Sequence, residues 1–139
     1  MRREVHLMPR LRALVGGAIL GLVLSACSAA APSSVAGTWS GTLVDSLAGP
    51  GTVQFTIDQS GASALTGTWT IKFPAAANSV TGTLAGTLSG SNVSLTLTPN
   101  NTAGCSQSVA VTVSGSNMSG TYAYNCVSIE TGTLTLQLQ

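Results

Sequence analysis

At 139 residues the chain has room for one domain and a targeting segment, and its formal charge of +1 hides a split. Arg2, Arg3, Glu4, Arg10 and Arg12 make the start basic, whereas Asp45, Asp58, Lys72 and Glu130 are the only charged side chains after residue 26. That leaves no basic patch to neutralise phosphates, which excludes nucleic acid as a partner, and the single histidine, His6, lies in the basic start.

Behind the basic start, Leu11 to Leu24 is largely apolar, and the small residues Ser25 and Ala26 then precede Cys27. These are the three parts of an export signal, with an apolar run too short to cross a hydrocarbon core of ~30 Å as a helix. The tetrapeptide Leu24-Ser25-Ala26-Cys27 resembles the lipobox of bacterial lipoproteins. The resemblance implies that residues 1–26 are a signal peptide that is removed. It also implies that Cys27 is acylated, with palmitate-type chains, and holds the protein on a membrane. Two or more acyl chains are needed for stable anchoring. Ser28, a residue other than Asp, resembles the outer-membrane sorting pattern of Gram-negative hosts; in a Gram-positive host the outer face of the cell membrane is implied. Residues 27–36 then form the lipidated cysteine and a short flexible tether of small, uncharged residues.

Residues 37–139 are expected to be one β-domain. From Thr38 onward, apolar or glycine positions alternate with Thr, Ser and Gln, the signature of half-buried strands. Eight such runs follow in order. They are centred on Trp39 to Leu43, Val53 to Ile57, Leu65 to Phe73 and Val80 to Leu88, then Val93 to Leu97, Val109 to Val113, Met118 to Cys126 and Leu134 to Leu138. Turn signals separate them, among them Gly49-Pro50-Gly51, Ser60-Gly61 and Pro99-Asn100-Asn101. The tetrapeptide Ser-Gly-Ser-Asn occurs at 89–92 and again at 114–117, and suits a two-residue hairpin of type I′ or II′. No segment has helical period and length.

The second of these hairpins predicts a disulfide. If Ser114 faces Asn117, stepping outward along both strands brings Cys105 opposite Cys126, on the face shared by Val113 and Met118. The pair falls at a non-hydrogen-bonded position, where strands approach closely enough to bridge. Export permits oxidation, with free thiols as the alternative. The bridge closes a loop of roughly 20 residues and should contribute ~3 kcal/mol. Two cysteines without a histidine are too few for zinc, so no metal or cofactor is expected.

Eight antiparallel strands in sequence expose two edges unless the last pairs with the first. Closure gives an up-and-down barrel; a two-sheet sandwich is the alternative. A membrane-spanning barrel would need a polar lumen and an apolar outer band, and these strands are short for it. Gly37-Thr38-Trp39 and Gly67-Thr68-Trp69 resemble the Gly-x-Trp elements of the lipocalin and avidin group, which implies a barrel of that kind. The biotin-contacting set of avidins has no match. The same start and a single disulfide also resemble small barrel inhibitors of bacterial secreted proteases.

Alternation places all six aromatic residues, Trp39, Phe55, Trp69, Phe73, Tyr122 and Tyr124, on the inner face. They are the candidate lining of a pocket for a small apolar ligand. Catalysis is not expected: the domain has no histidine, one lysine and three separated carboxylates that read as solvated surface charges. The expected function is that of an exported, membrane-anchored, non-catalytic protein with a ligand-binding barrel. The alternative is a structural or protein-interaction module of the cell envelope, including an inhibitor of an exported enzyme.

Overall fold

The computed structural model describes residues 30–74, 79–101, 105–126 and 128–139. The expected signal segment and Cys27 lie outside the described residues. Eight strands follow one another: β1 (Gly37–Asp45), β2 (Gly49–Ser60), β3 (Ala64–Lys72), β4 (Val80–Ser89), β5 (Asn92–Pro99), β6 (Ser106–Ser114), β7 (Asn117–Asn125) and β8 (Ile129–Leu138). Each pairs antiparallel with the next, and β8 returns to β1 from Trp39↔Leu138 to Asp45↔Gly132. The sheet is therefore a closed barrel with no free edge, and the sandwich alternative is excluded.

Alternation is the cause. In β2 every second side chain from Gly51 to Ile57 is buried while Thr52, Gln54, Thr56 and Asp58 face solvent. Threonine suits that outer position because a β-branched side chain packs well on a pleated surface. The apolar residues fill the interior, and among the described residues no apolar band girdles the outside. Trp39 and Trp69 share the inner face at 1 % and 2 % exposure.

Both Ser-Gly-Ser-Asn turns close as expected, with Ser89 opposite Asn92 and Ser114 opposite Asn117. Gly90 and Gly115 take φ of 60° and 59°, and among the described residues no non-glycine residue has positive φ, which makes both turns type II′. The first turn departs from expectation. Gly49-Pro50-Gly51 already belongs to β2, opposite Asp45, Val44 and Leu43, and the chain reverses at Ser46–Ala48. Asp45 is the reason: its Oδ1 accepts from the amides of Leu47 at 2.8 Å and Ala48 at 2.7 Å, closing an Asx turn. Pro50 is tolerated because β2 meets β3 only from Thr52 onward, so its missing N–H leaves no bond unmade there.

The two barrel ends differ. At the end where β1 starts, Val35 is 1 % exposed and part of the core, although the residues alone place it in the flexible tether. Its amide donates to Gln59 Oε1 at 2.9 Å, and its carbonyl accepts from Trp39 Nε1 at 2.9 Å. Gln59 Nε2 also donates to the Ser33 carbonyl at 3.4 Å. The segment before β1 is thus docked on this end and closes it. An isolated valine among small residues carries no periodic signal, which is why packing begins before residue 37 unannounced.

Candidate functional site

The opposite end holds a cavity of about 220 Å³. It lies where β1, β3, β5 and β7 finish and where β4, β6 and β8 begin. Phe73, Tyr122 and Tyr124 supply aromatic walls, with Ile71, Val80 and Pro99 beside them. Asp45, Gln107 and Glu130 complete the lining. The space suits a single ring with a short arm. It falls below the usual ~300–1,000 Å³ of sites for drug-sized molecules.

Of the six aromatics expected to line a pocket, Phe73, Tyr122 and Tyr124 do so. Trp39, Phe55 and Trp69 do not: they are 1 %, 0 % and 2 % exposed and fill the packed part of the barrel. Trp69 lies over Gly82, its cross-strand partner, and donates Nε1–H to the Thr83 carbonyl at 3.0 Å. Burying one such ring contributes about 1.5–3 kcal/mol.

Tyr122 is aimed by a similar device. It faces Gly132 of β8, which in turn faces Asp45 of β1. A Cβ on Gly132 would stand 2.5 Å from Tyr122 Cε1 and 2.7 Å from Cζ. The bare glycine lets the ring lie across β8, so that the Tyr122 hydroxyl donates to Asp45 Oδ2. Asp45 is 5 % exposed, so the expectation that all three carboxylates of the domain are solvated fails here. Asp58 and Lys72 do face solvent.

Burial alone would push the Asp45 carboxyl up. The amide of Ala48, the Tyr122 hydroxyl and the amide of Leu47 more than offset this and hold it below the ordinary 3.8. Tyr122 is held far above the ordinary 10.0, first by burial, then by its bond to Asp45 and the charges of Asp45 and Glu130. The tyrosine therefore stays a neutral donor and the aspartate a charged acceptor at neutral pH.

Two carboxylates thus converge on one rim, a convergence that nothing in their spacing along the chain requires. Glu130 is half-buried and accepts from the Ser128 hydroxyl at 2.7 Å. Gln107, directly opposite Tyr124, has a buried Oε1 with no hydrogen-bond partner among the described residues. Such an atom costs about 1–3 kcal/mol. Sequence reasoning missed Asp45, Gln107 and Glu130 as site residues, yet the signal was there. Asp45 has the parity of Trp39 and Leu43, Gln107 that of Val109, and Glu130 that of Leu134.

The Cys105–Cys126 disulfide sits at the same end, with Cα atoms 5.0 Å apart, just beyond the last β6–β7 pair at Ser106↔Asn125. It ties together the strand ends that carry Gln107 and Tyr124. Among the described residues no group of three or more His, Cys, Asp or Glu could hold a metal ion.

No protein-family model matches the chain, and no curated protein does. A solved structure, EF1p2_mFAP2b bound to DFHBI, is similar with a TM-score of 0.66 at 14 % identity, over 75 % of this chain and 93 % of that one. At that identity the likeness concerns the fold: this chain is built like a barrel that has been solved with the small molecule DFHBI bound.

Proposed function

We propose that the protein is an exported lipoprotein, anchored through Cys27, whose barrel binds a small, ring-bearing molecule at its mouth without catalysing a reaction. The observation that carries the binding reading is the cavity between Phe73, Tyr122 and Tyr124 at the end not closed by Val35. The fold neighbour, solved with DFHBI, adds support by analogy. Anchoring rests on the Leu24–Cys27 motif and the basic, apolar stretch before it. With residues 1–26 removed, the domain begins at residue 37 behind a tether whose last residues are docked. The stretch from Ser28 to Ser34 reaches ~25 Å at most. The mouth lies at the far end of the barrel from this tether, so the anchor does not obstruct it. The absence of a histidine after residue 26, with one lysine, supports a non-catalytic role.

One observation favours a second reading, docking of an envelope protein at the mouth. Leu47, Val80 and Ile129 lie on the mouth side of the barrel and are 69 %, 37 % and 82 % exposed. Native mass spectrometry of the chain purified from its own host separates the two. A bound species of small-molecule mass supports the first reading, and a stoichiometric protein partner supports the second. A Cys27→Ala variant that stays in the membrane fraction would contradict the anchor.

A further inference from the structure

Resting on the mouth-site reading, we propose that the cavity selects small organic cations, an aromatic or alkyl ammonium, over neutral or anionic molecules of the same shape. Three aromatic rings and two carboxylates line one cavity. No Lys, Arg or His lines it among the described residues, and Lys72 projects from the outer surface. Residues 75–78, 102–104 and 127 add no charged side chain. An anion entering this mouth would meet two like charges and no donor of opposite sign. A cation would meet the opposite.

The hydrogen bonds sharpen the preference. The Tyr122 hydroxyl is spent on Asp45, so towards a guest it offers lone pairs rather than a proton. Donation to a carboxylate also leaves the phenol ring more electron-rich, which strengthens its face as a partner for a cation. Asp45 keeps its charge because two backbone amides and Tyr122 stabilise it. Its own burial prevents bulk water from screening that charge fully. Glu130 is the more accessible carboxylate and the one placed to meet an ammonium group at the rim.

The test uses three probes of one shape, benzylammonium, benzyl alcohol and benzoate, titrated into the full chain by calorimetry and by ligand-observed NMR. The expected order is benzylammonium at least about tenfold tighter than benzyl alcohol, with benzoate weakest. Glu130→Gln should remove most of the gap between benzylammonium and benzyl alcohol, and added salt should weaken only benzylammonium. Equal binding of benzylammonium and benzyl alcohol would overturn the cation preference and leave the small-molecule site standing. Failure of all three to bind a folded chain would overturn both.

Discussion

Tyr122 and Asp45 are 77 residues apart in sequence and hydrogen-bonded to each other inside the barrel mouth. Only closure brings them together, because β1 and β7 meet across the single strand β8, and Gly132 is the gap through which the ring passes. The bond therefore reports at once on the topology, on the glycine and on the polarity of the cavity.

Replacing Gly132 by alanine should disturb this arrangement more than any change on the outer face. The new methyl group would press on the Tyr122 ring and on the Val44 carbonyl. An expected cost of about 1–3 kcal/mol follows for such overpacking, read from urea unfolding. Thr133→Ala, one residue away and solvent-facing, serves as the comparison and should cost less. Equal effects would show that the ring does not depend on the gap.

The same pair sets a pH window. Asp45 has a lowered folded value, so its contribution is present above the ordinary 3.8 and is lost as the pH falls through the folded value below it. Tyr122 has a raised folded value, so its contribution is intact below 10.0 and is lost as the pH climbs from there towards the folded value. Between these limits the pair should leave stability flat. Tyr122→Phe should cost about 1.5–3 kcal/mol at neutral pH, since a hydrogen bond to a charged group is lost. It should also remove this tyrosine's part of the alkaline loss. Unfolding midpoints measured against pH for both chains check the two statements together.

The disulfide should matter at the mouth first. Replacing Cys105 and Cys126 together by serine removes a constraint worth ~3 kcal/mol in the chain-entropy model. Because the bridge lies beyond Ser106↔Asn125, hydrogen exchange should rise at the mouth ends of β6 and β7 before the Ser114–Asn117 turn is affected. Uniform loss of protection along both strands would contradict a local role.

At the closed end, Val35→Ala should cost roughly 1.5 kcal/mol or more, from about 0.8 kcal/mol per buried CH₂ plus the cavity left behind. Trp39 should report it, since the Val35 carbonyl holds the indole N–H. A shift in tryptophan emission is expected in the folded state of this variant. An unchanged spectrum and unchanged stability would mean that the segment before β1 is not docked in solution.

The eight strands and their inner face are legible from period two, but a barrel and a sandwich share that alternation, and only the pairing of β8 with β1 separates them. Ser-Gly-Ser-Asn then sets the β6–β7 register, and that register delivers the Cys105–Cys126 pair. The site is less legible for two reasons. Parity says that Trp39 and Tyr122 both point inward, but not that Trp39 lies in the packed half and Tyr122 at the mouth. And Asp45 reads as a surface charge on residue type, although its position puts it on the inner face beside Leu43. Where type and parity disagree, parity is the physical constraint, and the buried carboxylate finds its partners in the turn amides and the tyrosine.

The most direct check on the account is where a bound ring sits. With benzyl alcohol added to the full chain, intermolecular NOEs from the ligand should reach the rings of Phe73, Tyr122 and Tyr124 and be absent from Trp39. Contacts to Trp39, or uptake of no probe by a folded barrel, would contradict a binding site at the mouth.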